Sequence, residues 1–172
     1  MAVLAPWAWL ILVVVLAAGC RTGPEQWGPF RGRIIDAETG RPIAGAHFMV
    51  SWERDNPNPV HWTQSFYDAQ ETVTDAEGRF EIPYERRFVT ALVAEPRFRV
   101  FAAGYVAEDE DVTPPGGRSY VDLTVLKMRR LETLEERCRR RPGGPGMEAS
   151  ERVPIFRKAV QDYRSALACS AG

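Results

Sequence analysis

Thr72-Val73-Thr74-Asp75-Ala76-Glu77-Gly78-Arg79-Phe80-Glu81-Ile82 decides the reading of this chain. A β-rich run leads into Asp75-Ala76-Glu77-Gly78, where glycine allows the positive φ of a tight turn. Arg79 to Ile82 then alternates, with Phe80 and Ile82 on one side. Period two is the mark of a half-buried strand. Upstream, Ala46 to Trp52 alternates in the same way. Phe48, Val50 and Trp52 share one face, and His47, Met49 and Ser51 share the other. Phe30 to Asp36 is β-rich and ends in the turn Ala37-Glu38-Thr39-Gly40, followed by an irregular step, Arg41 to Gly45. Asn56-Pro57-Asn58-Pro59 breaks the Trp52 strand, and Val60 to Tyr67 resumes strand composition. Phe98 to Ala102 places Phe98 and Val100 together, and Ser119 to Lys127 aligns Val121, Leu123 and Val125. Short strands at this spacing predict an all-β core, a seven-stranded antiparallel β-sandwich. Its expected core is Ile34, Phe48, Val50, Trp52, Val73, Phe80, Ile82, Val100, Val121, Leu123 and Val125.

Three blocks carry a family resemblance. Gly32-Arg33-Ile34-Ile35-Asp36, continued by Thr39-Gly40-Arg41-Pro42-Ile43-Ala44-Gly45-Ala46, resembles the opening of carboxypeptidase regulatory-like domains. Residues 72–82 resemble their second block, and Ala102-Ala103-Gly104-Tyr105 resembles their third. The blocks follow the family's order over residues 29–128. The resemblance implies a transthyretin-like (prealbumin-like) sandwich and no catalytic signature. The insertion Glu53 to Gln70 is longer than the family's usual spacing. In peptidases this domain accompanies a zinc peptidase domain, for which the chain has no room, so a carboxypeptidase is not expected.

Met1 to Gly19 contains no Lys, Arg, Asp or Glu and ends Leu16-Ala17-Ala18-Gly19-Cys20. An apolar run followed by small residues reads as a secretory signal. Cysteine directly after it resembles the lipobox of bacterial lipoproteins, which implies cleavage before Cys20 and lipid attachment to it. Ala17 stands where leucine is usual, and the start has no basic residue. An uncleaved anchor, near the short end of a bilayer span, and a simple cleaved signal are the alternatives. Arg21 to Gly28 has linker composition, a lipidated tether over residues 20–28. Within it Trp27 docks either on the domain or on headgroups. Arg21 after the cysteine resembles the outer-membrane default of enteric lipoproteins. The expected location is therefore the bacterial cell envelope, lipid-anchored, facing the periplasm.

With Cys20 lipidated, Cys138 and Cys169 remain, an even number in an oxidising compartment, and a disulfide is expected. Residues 129–172 read as a helical extension. Leu131, Leu134 and Cys138 fit one helix face, and Pro142-Gly143-Gly144-Pro145-Gly146 ends that helix. Pro154 suits the start of a second helix, with Phe156, Ala159, Val160, Tyr163 and Leu167 on one side. This stripe packs either on the sandwich or on a partner, the former being the ordinary fate of an apolar helix face. If the second helix ran through Cys169, the bond would require the two helices to run parallel or steeply crossed.

The chain has 172 residues, with 22 Lys+Arg against 23 Asp+Glu. That balance excludes nucleic acid as the default partner. His47 and His61 stand in different β segments, so no metal site and no cofactor are expected. The serines lack a Gly-x-Ser-x-Gly setting. The acidic run Glu108-Asp109-Glu110-Asp111 reads as a solvated, edge-protecting segment in preference to a calcium site. Arg139-Arg140-Arg141 reads as a solvated helix end, with anionic headgroups as the alternative. The expected function is that of a non-catalytic, membrane-anchored envelope lipoprotein acting as an interaction or structural module. The alternative is an accessory module or enzyme subunit for a cell-surface polymer or carbohydrate, with Trp52, Trp62, Phe66 and Tyr67 as its aromatic platform. Burial of those aromatics would favour the plain module.

Overall fold

Alternation along His47–Asn56 sets the layering of the molecule. In the computed structural model, which describes residues 27–57, 63–83, 93–107 and 122–169, this strand (β2) has both faces covered over its first half. It lies between β3 (Thr63–Val73) and β5 (Arg97–Phe101) in a three-stranded sheet. The second sheet contains β1 (Phe30–Asp36), β4 (Arg79–Ile82), β6 (Tyr105–Ala107) and β7 (Asp122–Arg130), in the order β4-β1-β7-β6. Phe30, Ile34, Phe80, Ile82 and Met128 from this sheet meet Phe48, Val50, Trp52 and Phe98 from the other. The described chain is thus mostly β and sandwich-like.

The sheets are not wholly antiparallel, as the alternation had suggested. β1 is antiparallel to β4 but parallel to β7. Alternation places side chains on faces whichever way the neighbour runs, so it carries no information on strand direction.

The core also differs in detail. Along β7 the register passes from Gly32 opposite Leu123 to Ile34 opposite Leu126. The extra residue on β7 is a bulge, and it shifts the inward set by one position. Leu126 and Met128 therefore pack inward, while Val125, expected in the core, is 47 % exposed. Val73 pairs with His47, so it belongs to the outer face and is 40 % exposed. Val100 pairs with Phe48 and is half-buried against the core. Val121 lies outside the described residues.

Trp27 docks on the domain. Its ring stacks on Trp52 at 5.0 Å and meets Tyr67 edge-on at 5.9 Å. The packed body therefore begins before residue 29, inside the expected tether.

Thr74 ties the end of the first resemblance block to the second. Its hydroxyl donates to the Ile43 carbonyl at 2.7 Å and accepts from the Ala46 amide at 2.9 Å. Its backbone exchanges further bonds with Gly45 and Ala46. A buried hydroxyl is retained at little cost when both its roles are filled.

The extension contains α1 (Leu134–Arg139), a single 3-10 turn (Ala149–Glu151) and α2 (Pro154–Ala166). Phe156 and Val160 of α2, with Ala149 and Val153, cover Met49, Ala69 and Phe101 on the outer face of the three-stranded sheet. The apolar stripe thus buries against its own sandwich. The first stripe does not form as expected. Thr133 caps α1 by accepting from the Glu136 amide, so Leu131 precedes the helix and is buried, while Leu134 is exposed. Cys138 and Cys169 form the disulfide, with Cα atoms 5.7 Å apart. Because α2 ends at Ala166, the bond is made from the tail beyond it, and a helix running through Cys169 is not what brings the sulfurs together.

Candidate functional site

The three described members of the aromatic platform do not share a surface. Trp52 is 1 % exposed in the core. A bulge sits where Trp52 faces Asp68 and Glu53 faces Phe66, so Tyr67 is the extra residue. Tyr67 consequently packs on the sandwich core, whereas Phe66 packs on the opposite cluster under α2. Trp62, His61, Cys20 and the acidic run 108–111 lie outside the described residues.

His47 points to the outer face, where its ring lies near Phe101 and edge-on to Phe156. Burial lowers its pKa from the usual 6.5, and the nearby Glu71 carboxylate opposes that shift. Among the described residues no three His, Cys, Asp or Glu side chains gather as metal ligands.

Polar contacts add to the apolar ones in holding the extension in place. Val153 precedes α2 and offers no side-chain cap, and Pro154 has no amide hydrogen. Glu71 on β3 substitutes for the missing cap. Its carboxylate accepts from the amides of Ile155 at 2.9 Å and Phe156 at 2.6 Å. Arg152 pairs with the buried Asp68 at 3.3 Å. Arg99 on β5 donates to the Gly144 carbonyl at 3.1 Å, which fastens the loop before the 3-10 turn.

Open clefts surround this attachment. One, of about 470 Å³, lies where the end of β7 meets α1 and α2, lined by Tyr105, Arg130, Glu132, Arg137 and Tyr163. Arg130 lies over the Tyr105 ring at 5.7 Å, and Arg137 donates to the Leu131 carbonyl. The Tyr163 hydroxyl is buried here with no hydrogen-bond partner among the described residues, while its ring packs on Phe101 at 5.6 Å. Beside it, Arg129 hydrogen-bonds Glu136 and holds that carboxyl below the usual range. The cleft supplies hydrogen-bond donors and charge. A second groove, of about 530 Å³, lies between the loop from Arg141 and α2.

Sequence reasoning missed Glu71, Tyr163, Arg157 and Arg164 as groups that shape these surfaces. The spacing of Arg157, Gln161 and Arg164 along one helix face was the available signal for the second groove. Nothing local distinguishes Glu71 from an ordinary strand residue.

Among the described residues no helix is long and apolar enough to cross a membrane. No family model matches the chain, and no curated protein matches it. Among solved structures, the chain is similar to a 9R-lipoxygenase from Cyanothece PCC8801 at 19 % identity and a TM-score of 0.32. The alignment covers 94 % of this chain and 26 % of the lipoxygenase, so the chain spans about a quarter of that protein's length.

Proposed function

We propose that the chain is a lipid-anchored lipoprotein of the bacterial cell envelope, with a non-catalytic interaction module of the carboxypeptidase regulatory-like, transthyretin-like type. The observation that carries this reading is how the sandwich is filled. Aromatic and aliphatic side chains from both sheets close its interior, and α2 closes the outer face of the three-stranded sheet. Among the described residues, charged clefts stay open around the extension, and a further one lies beside β1 and β4. Such surfaces suit recognition at a rim, where side-chain charge selects a partner. The three resemblance blocks and the Ala18-Gly19-Cys20 sequence support the family and the anchor. In this reading Cys20 carries the lipid, and the protein faces the periplasm from the outer membrane.

A lipid-labelling experiment tests the anchor. Cys20→Ala should leave an unprocessed precursor that takes up no labelled fatty acid, whereas the native chain is processed and labelled. Normal processing and labelling of the variant would refute it. Photocrosslinkers at the exposed Met147 and Ile155 should trap a discrete envelope partner in cells. Crosslinks absent at both positions would count against the extension as the recognition surface.

A further inference from the structure

Within the extension most basic side chains are engaged. Arg129 pairs with Glu136, Arg139 with Glu135, Arg152 with Asp68, and Lys158 with Asp162. Arg137 donates to a carbonyl and Arg130 covers a tyrosine ring. Arg140 is engaged as well. Arg141, Arg157 and Arg164 have no side-chain partner among the described residues, and all three line the same groove. Arg157 and Arg164 come from one face of α2, with Gln161 between them, and Arg141 comes from the loop opposite. Ser165 adds a hydroxyl. No carboxylate lines the groove, although Glu148 and Glu151 lie in the segment that runs past it.

Three like charges around one groove repel each other, and that repulsion is relieved when an anion enters. Each guanidinium is a planar fork that matches two oxygens of a phosphate or carboxylate. A single carboxylate satisfies one such fork. A phosphate carries more charge and its oxygens point along tetrahedral directions, so forks from two sides of a groove can share it.

We propose that this groove is a phosphate-binding site, formed by Arg141, Arg157 and Arg164, for the phosphate of a lipid headgroup or a free phosphate compound. The groove would hold that anion whether or not the chain is anchored at Cys20.

Calorimetric titration of the full-length protein in neutral detergent tests this. The probes are inorganic pyrophosphate and, separately, micelles doped with phosphatidic acid. At least one should bind saturably, and the Arg157→Gln/Arg164→Gln variant should bind it at least about tenfold more weakly. Lys158→Gln, on the same helix but outside the groove, should leave the affinity unchanged. Binding of both probes in competition assigns the groove to the phosphate group itself. Binding of phosphatidic acid without competition by pyrophosphate assigns it to a headgroup at a surface. Failure of both probes to bind, or equal affinity in the double variant, would overturn the site. Circular dichroism checks that the double variant is folded; otherwise Arg141→Gln, outside any helix, carries the same test.

Discussion

Gly78 and Gly40 have nearly the same backbone conformation, with φ of +72° and +67°, but different surroundings. A Cβ at Gly78 would lie 2.5 Å from the Ile34 carbonyl oxygen and 3.0 Å from the Pro42 side chain, whereas one at Gly40 meets nothing within 4 Å. The left-handed conformation alone costs an L-residue about 1–2 kcal/mol. Gly40→Ala should therefore lose about that much stability in denaturant unfolding, and Gly78→Ala distinctly more, because backbone atoms must move. Equal losses would show that the turn adjusts freely. His47 gives a pH prediction at the same scale. Its pKa in the folded chain lies below the ordinary 6.5, so the unfolded chain binds the proton more readily. The stabilisation is complete above pH 6.5 and is lost as pH falls through the lowered folded value. His47→Phe should flatten the loss of stability between neutral and mildly acidic pH, measured as the shift of the denaturant midpoint. Asp36 acts lower on the scale. Its carboxylate accepts from the Thr39 and Glu38 amides, which lowers its pKa from 3.8, so its contribution disappears only in stronger acid.

Among the elements, α2 depends on a residue far away in the chain. Removing the Glu71 carboxylate leaves the Ile155 and Phe156 amides without their acceptor at the start of the helix. Glu71→Ala should cost roughly 1–2 kcal/mol, and Glu71→Gln less, because an amide oxygen still accepts. Amide hydrogen exchange in the first turn of α2 should rise with the same ranking. An unaltered exchange rate in Glu71→Ala would refute the capping role. This dependence also marks the boundary of what the chain's pattern discloses. The inward faces of β2 and β4 and the stripe of α2 were legible, since they rest on periodicities intrinsic to strand and helix. The exposure of Val125 was not legible, because a bulge is decided by the neighbouring strand. The partition of Phe66 and Tyr67 between two clusters was hidden for the same reason. The basic groove was half legible: Arg157 and Arg164 fall on one helix face, but only the fold brings Arg141 opposite them.

For the whole molecule, the disulfide closes the extension on itself, tying the tail beyond α2 back to α1. Cys138 and Cys169 are 31 positions apart and enclose the 3-10 turn and α2. Closing a loop of that length is worth roughly 3–4 kcal/mol on the chain-entropy account, whose mechanism is disputed. Cys138→Ser/Cys169→Ser should keep the β spectrum of the sandwich while hydrogen exchange across α2 accelerates. Unchanged protection on α2 would mean that Glu71, Asp68 and the apolar contacts suffice without the bond. The topology of the larger sheet has a consequence in time. β1 lies between β4 and β7, and Arg31 takes Asp122 as its parallel partner. Whether the chain emerges from a ribosome or from a translocation channel, β1 appears first and waits for nearly the entire sandwich before its second edge is closed. Pairing across such a sequence distance is slow, because the loop must be closed before the contacts reward it. A chain stalled before residue 122 therefore presents a strand edge open to other chains, and the hazardous stage of this protein's life is the interval before β7 arrives.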